Sequence, residues 1–221
     1  MKFHYRIAIV VAKSIDQLLG TSIKEKGGWF YRYLLKKLSP LRRITDPFLI
    51  KLQYKLGIKN QRRLKIHLGC GWKHFPGYIN TDLWITDATD VICDITRLPW
   101  PDNSASVIES YHAIEHISHT KISSVLTEWH RVLIPGGKLI LECPHFDTAV
   151  QEYLGGNEER LLNIFGRQRF NGDAHLYGYN PQRLARLLTQ IGFENIHEEA
   201  PQSSQILDEP SFRIEGKKCL K

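Results

Sequence analysis

The sequence predicts an α/β fold: a mostly parallel sheet with helices on both faces, behind a basic helical N-terminal extension. Three observations predict it. From Leu64 on, short apolar strand-like runs alternate with helix-like segments, the order that builds parallel sheets from crossover units. The first run, Leu64-Lys65-Ile66-His67-Leu68, opens into Gly69-Cys70-Gly71, and the second ends in Asp82. Two glycines one residue apart let a chain turn sharply and lie close to a ligand, and an acid at the tip of the next strand can accept both hydroxyls of a ribose. Charge is also divided along the chain. Residues 1–65 hold 16 Lys/Arg against 3 Asp/Glu, whereas the other 14 Lys/Arg face 20 Asp/Glu. The basic character thus belongs to the extension, which points to an anionic partner for it.

The elements follow in order. The first 60 or so residues read as helical, with breaks expected at Gly27-Gly28 and Pro40. Within them Trp29 to Leu38 mixes aromatics and Leu with Lys/Arg, and Phe30, Leu34, Leu35 and Leu38 fall at helical spacing. That mixture suits a helix lying in a membrane interface, and equally a helix packed on its own domain with a solvated basic face. Strands are expected at Leu64–Leu68, Tyr78–Thr81, Asp90–Cys93, Ser106–Ser110, Gly137–Cys143 and Glu194–Glu198, with a last one at Ser211–Ile214. Helices are expected at Thr120–Leu133, at Asp147–Phe165 with an interruption at Gly155-Gly156, and at Pro181–Ile191. Asn180 and Pro181 make a helix start, and Gly192 a helix end. The domain boundary is placed after residue 62, giving an extension of 1–62 and a domain of 63–221.

A chain of 221 residues with 42% hydrophobic content can bury a sizeable core. It has no run of about 18 apolar residues, so no spanning helix is expected. Ile7 to Ala12 is short for a signal-peptide core and no secretion signal is read there. Cys70, Cys93, Cys143 and Cys219 are widely spaced without a C-x-x-C, which speaks against a disulfide framework or zinc site and for a reducing, cytoplasmic setting.

Four motifs stand in order. They are His67-Leu68-Gly69-Cys70-Gly71; Asp82-Leu83; Asp94-Ile95 with Leu98-Pro99-Trp100-Pro101-Asp102-Asn103-Ser104; and Ser110-Tyr111-His112-Ala113-Ile114-Glu115-His116, followed by Arg131-Val132-Leu133-Ile134-Pro135-Gly136-Gly137. Over about residues 64–200 this order resembles the class I S-adenosylmethionine-dependent methyltransferases. It looks most like a small bacterial type associated with surface-polysaccharide synthesis. The resemblance implies a Rossmann-like, seven-stranded sheet and S-adenosylmethionine as cofactor. It implies that Gly69, Cys70 and Gly71 approach the methionine part of the cofactor and that Asp82, with Leu83 beside it, holds the ribose. Asp94 would bond the adenine amine with Ile95 against the ring, and Tyr111 and His112 would face the sulfonium and the acceptor. Two positions depart from the pattern: His67 stands where an acid is usual, and Lys73 where a third glycine is. Gly69 and Asp82 are 13 residues apart, which leaves room for a turn or two of helix at most in the first crossover. A dinucleotide-binding oxidoreductase typically has its acid about 20 residues on.

His112 and His116 would share a helix face, as metal ligands can, and some RNA 2′-O-methyltransferases hold a metal through a related Glu/His set. With no further set of that kind evident, Glu115-His116 reads instead as a buttress for the fourth-strand loop, and no metal is expected. His175, in Gly172-Asp173-Ala174-His175-Leu176-Tyr177, lies near the expected site and reads as an acceptor-side residue. His145 and Asp147 are weaker candidates of that kind, and Cys70 reads as a small turn residue without an activating base. A hydroxyl or amine acceptor must lose a proton, for which His112 and His175 are the candidates.

The function expected is methyl transfer from S-adenosylmethionine to an O or N acceptor, with a sugar or glycan intermediate as acceptor by family analogy alone. An anionic membrane surface is the expected partner of residues 1–62. Two other classes stay open: an RNA methyltransferase or nucleic-acid-binding protein using that basic arm, and a non-catalytic, membrane-attached relative. Against the first, no RNA-binding module is recognisable and the rest of the chain is acidic.

Overall fold

The computed structural model of the protein describes residues 28–57, 63–203 and 209–220, with 28–39 described for the backbone alone. The chain divides into two compact units, 1–42 and 43–221. Of the first, helix from Gly28 on is described, with side chains only from Pro40.

Helix α1 spans Gly28–Lys55 and runs through both Pro40 and Pro47. The break expected at Pro40 is therefore absent. A proline removes one N–H and crowds the preceding turn, but does not by itself end a helix held by other contacts. Among the described residues those contacts include Arg43, whose Nε donates to the Leu83 carbonyl at 2.9 Å. Asp46 Oδ2 accepts from the Ile92 N–H at 3.1 Å, and Ile50 and Tyr54 pack on the core. The second unit thus begins ahead of the boundary drawn at residue 62. The aromatic-basic run from Trp29 to Leu38 is helical in backbone, and its side chains lie outside the described residues.

The sheet has seven strands: β1 Leu64–Leu68, β2 Ile79–Asp82, β3 Val91–Ile92, β4 Ala105–Tyr111, β5 Leu133–Pro144, β6 Phe193–Glu199 and β7 Ser211–Lys218. Their order is β3-β2-β1-β4-β5-β7-β6. All neighbouring pairs are parallel except those of β7, which runs antiparallel to both β5 and β6. The other helices are α2 Ile122–Val132, α3 Phe146–Leu154, α4 Arg160–Phe165 and α5 Pro181–Ile191. Most strands lie within a residue or two of expectation. β5 starts earlier, at Leu133, and β7 runs on to Lys218. Gly155 and Gly156 separate α3 from α4 as expected. The Asn180 side chain accepts the Arg183 N–H, and Gly192 closes α5 in the left-handed region at φ 108°.

One face of the sheet is apolar. Ile66, Leu68, Ile108, Leu139 and Leu141 meet Val125, Leu126 and Trp129 of α2 and Leu184 and Leu188 of α5, all at 2% exposure or less. Helical spacing puts those α2 side chains on one stripe. The other face is polar and buried. There Tyr78 and Tyr111 both donate to Glu109, and Arg213 Nη1 donates to the Tyr111 hydroxyl at 2.9 Å and its Nη2 to Glu215 at 2.7 Å. Strand alternation accounts for this split, since neighbouring residues point to opposite faces. No helix among the described residues is long and apolar enough to cross a membrane.

Candidate functional site

In this strand order the direction of winding reverses between β1 and β4, and ligands bind outside the carboxyl ends of strands at such a reversal. Two groups of residues lie at that edge. The first is the turn after β1. Gly69 and Gly71 both have positive φ, 67° and 52°, which glycine adopts without strain. A Cβ on Gly69 would stand 2.8 Å from the Ala113 Cβ, so the turn lies directly against the segment that follows β4. A Cβ on Gly71 would meet nothing within 4 Å, which leaves open space over the turn.

Asp82, at the end of β2, ties that turn in place. Its Oδ2 accepts the Gly71 N–H at 2.8 Å and its Oδ1 the Trp84 N–H at 2.9 Å. Each carboxylate oxygen has two lone pairs, so each keeps one for a hydroxyl. Leu83 is exposed beside it. Cys70 is buried, and burial together with the charge of Asp82 pushes its thiol up to about 12; it is no thiolate nucleophile at neutral pH. Asp94 follows β3 in a turn, with Oδ1 accepting the Thr96 N–H at 2.8 Å. Ile95 packs on the core and its carbonyl accepts from Trp129 Nε1 at 2.7 Å.

The two departures from the family pattern have structural roles. His67 is buried, donates to Asn80 Oδ1 at 3.1 Å and stacks on Phe75 at 4.1 Å. Asn80 also accepts the Phe75 N–H and donates to Asp90. This cluster shapes the first crossover, which contains turns but no helix. Lys73 extends over the rings of Phe75 and Tyr111, at 5.5 and 5.6 Å. The Tyr111 hydroxyl belongs to the Glu109–Arg213 network, and burial and the charge of Glu109 push it above the ordinary phenol range.

The second group follows β4. His112 has positive φ, 49°, and is nearly buried. Its Nδ1 is 3.1 Å from Glu209 Oε1, and its Nε2 lies 3.3 Å from Ser203 Oγ. Burial alone would lower its pKa, but the bond to Glu209 and the charges of Glu115, Glu209 and Glu142 outweigh it and raise the value. Both ring nitrogens of His112 thus have partners within the chain, Glu209 on one side and Ser203 on the other. Glu142, also buried, holds the Gln202 and Ser203 N–H groups at 2.7 and 2.9 Å.

A short 3₁₀ turn, Ile114–His116, comes next. Glu115 is buried, and neither carboxylate oxygen has a hydrogen-bond partner among the described residues. Its backbone carbonyl accepts the Leu176 and Tyr177 N–H groups at 2.7 and 3.3 Å, which draws the 172–178 loop onto this turn. His175 thereby meets Glu115 and His116, and one donor atom from each of the three lies within 4.8 Å of the others. The helical spacing under which His112 and His116 would share a face is absent, because Ile114–His116 is a 3₁₀ turn. His145 and Asp147 serve local structure instead: His145 accepts the Thr148 N–H at the start of α3, and Asp147 accepts from Asn180. Glu142, Ser203 and Glu209 were not foreseen as site residues. The contacts of Ser203 and Glu209 to His112 and of Ser203 to Glu142 cross 60 or more positions, and no local motif marks these residues.

Comparison with known proteins agrees with this geometry. Residues 68–141 match a family model described as a methyltransferase domain. Two curated relatives are each named ubiquinone/menaquinone biosynthesis C-methyltransferase UbiE. The one from Cupriavidus metallidurans is 28% identical and the one from Cupriavidus necator 29%, each over 115 residues. Those matches cover 48% of this chain and 46% of the relative, so the chain spans about half the length of the curated relatives it matches. Among solved structures, a methyltransferase from Methanosarcina mazei described as S-adenosylmethionine-dependent aligns with a TM-score of 0.51 at 16% identity, over 76% of this chain and 98% of that one. A Thermotoga maritima protein described as an S-adenosylmethionine-dependent methyltransferase and possible histamine N-methyltransferase aligns at 0.50 and 18% identity, over 92% and 99%. At such identities the likeness is one of fold. The chain therefore has the class I S-adenosylmethionine-dependent methyltransferase fold, with a methyltransferase domain matched over residues 68–141.

Proposed function

We propose that the protein is an S-adenosylmethionine-dependent methyltransferase whose acceptor is an oxygen or nitrogen atom, with a sugar or glycan intermediate as the acceptor class. One observation carries the cofactor reading: the β1 turn, its open side at Gly71, is bonded to an Asp82 carboxylate that keeps free lone pairs. When bound, the cofactor supplies a methyl group activated on a sulfonium. The chain supplies placement. The Gly69–Gly71 turn approaches the methionine part, Asp82 holds the ribose hydroxyls, and Asp94 and Ile95 take the adenine. A polar acceptor is favoured by the acid and imidazole groups after β4, which offer charge and hydrogen bonds.

A carbon acceptor is the second reading, favoured by the relatives named as C-methyltransferases. For residues 1–62 we infer contact with an anionic membrane surface from the cytoplasmic side, supported by their basic charge. Calorimetry with S-adenosylmethionine and S-adenosylhomocysteine tests the cofactor reading, and no heat from either at millimolar concentration refutes it. Transfer of a labelled methyl group in a lysate, with the product fractionated into glycan, lipid-quinone, RNA and protein, decides the acceptor. Flotation of the full chain with anionic vesicles tests the extension; failure to float at low salt rejects that role.

A further inference from the structure

We propose that Glu115, His116 and His175 form a binding site for one divalent transition-metal ion. The histidines are prepared for it. His116 Nδ1 lies 3.0 Å from the Ala174 carbonyl and His175 Nδ1 lies 2.7 Å from the Asn163 carbonyl. A carbonyl only accepts, so in each neutral ring Nδ1 carries the proton and Nε2 keeps a bare lone pair. Metal-binding histidines are oriented in this way, with the second nitrogen donating to a fixed acceptor.

Glu115 supplies the charge. Its side chain is 3% exposed and both its oxygens lack a hydrogen-bond partner among the described residues. A buried carboxylate without donors is costly unless a cation compensates it. Among the described residues, His112 Nδ1 at 3.7 Å and His116 Nε2 at 4.0 Å lie near it. His112 is already engaged by Glu209 at 3.1 Å, so a single imidazole nitrogen faces two carboxylates. A metal ion between Glu115 and the two Nε2 atoms removes that imbalance.

The backbone holds the three donors together. Beyond the Glu115 carbonyl contacts, the His175 N–H donates to the Phe165 carbonyl at 3.0 Å. Gly166, at φ 78°, lets the loop pass closely: a Cβ there would lie 2.4 Å from the Asp173 carbonyl and 3.0 Å from the His175 ring. Ligand atoms about 2.0–2.2 Å from one ion stand roughly 3–4 Å apart, so the set closes with small side-chain rotations. Two imidazoles and one carboxylate suit Zn²⁺, Mn²⁺, Fe²⁺ or Co²⁺ and not Mg²⁺ or Ca²⁺, which prefer all-oxygen sites. Three protein ligands leave positions for water or for an oxygen of the methyl acceptor, whose hydroxyl the ion would acidify. That last role rests on the methyltransferase reading; the site itself does not.

The test uses tag-free, chelator-stripped full-length protein titrated with Co²⁺. The expected result is visible d–d absorption that saturates at one equivalent and is displaced by Zn²⁺. Glu115→Gln and His175→Gln should each weaken binding by more than the roughly 10–100-fold that losing a supporting partner costs. His119→Gln, an exposed histidine nearby, should leave it unchanged. Circular dichroism establishes that each variant is folded, and Zn²⁺ should raise the melting temperature of the parent protein but not of the folded variants. No saturable absorption, or absorption that survives both substitutions, overturns the site. S-adenosylmethionine binding by the stripped protein separates the two readings. Cofactor binding without metal binding refutes the site alone, and metal binding without cofactor binding refutes the methyltransferase reading alone.

Discussion

Asp82 and Glu115 stand at the same edge of one sheet, and the fold treats them in opposite ways. Asp82 is partly exposed and accepts two backbone N–H bonds, one from the turn it holds. Glu115 is buried deeper and accepts none among the described residues. A carboxylate satisfied by backbone is part of the scaffold and presents its spare lone pairs outward. A buried carboxylate left without donors is a charge whose partner has to come from elsewhere. The first arrangement shapes a pocket before any ligand arrives, and the second makes its own stability depend on the ligand.

The largest expected effect tests what holds the second region. Gly166→Ala places a methyl within 2.4 Å of the Asp173 carbonyl at a left-handed φ, and should cost about 3 kcal/mol in chemical denaturation. It should also abolish metal binding by displacing His175. A loss below 1 kcal/mol would mean the loop is not locked in this way. Next, Asp82→Ala removes two charge-assisted bonds and should destabilise by about 2 kcal/mol while weakening S-adenosylmethionine binding at least about tenfold by calorimetry. Unchanged affinity would remove Asp82 from the cofactor site.

Glu115→Gln should have the opposite sign in metal-free protein, because a neutral amide replaces a buried carboxyl group that accepts no hydrogen bond among the described residues. A gain of up to about 1 kcal/mol is expected in chelator, with the metal-dependent stabilisation lost. Destabilisation equal to that of Asp82→Ala would break the contrast between the two acids. The smallest effect concerns a remote reference acid. The Glu128 side chain accepts from Arg131 at 2.7 Å, and that bond holds its carboxyl below the ordinary range despite partial burial. A lowered folded value stabilises the protein above the unfolded pKa of about 4.3, and the contribution is lost as pH falls through the folded value. The melting temperature of the parent should therefore fall more steeply below pH 5 than that of Glu128→Gln. Parallel profiles would show that the pair adds nothing.

The first region was legible because its parts are near in sequence. Two glycines, the strand that carries them and an acid 13 residues on form a local pattern, and apolar periodicity places the strands that frame it. Asn180, Pro181 and Gly192 bounded α5 for the same reason, since caps act within a turn. The second region was not legible as a set. His175 reaches Glu115 only because a loop 60 positions downstream is hydrogen-bonded to its backbone. Pairing His112 with His116 assumed α-helical spacing, and the chain forms a 3₁₀ turn there.

Sequence alone determined the alternation of strands and helices, the glycine turn, the acid opposite it and the charge division between the extension and the rest. These follow from backbone conformational preference and from periodic burial, which act over a few residues. Tertiary structure decided that α1 continues through Pro40, because side chains from Arg43 onward are held by the sheet and its loops. It decided that His67 and Lys73, departures on paper, pack against Phe75 and support the first crossover. And it decided which histidines meet Glu115, since the cost of a buried charge depends on groups that only the folded chain brings together.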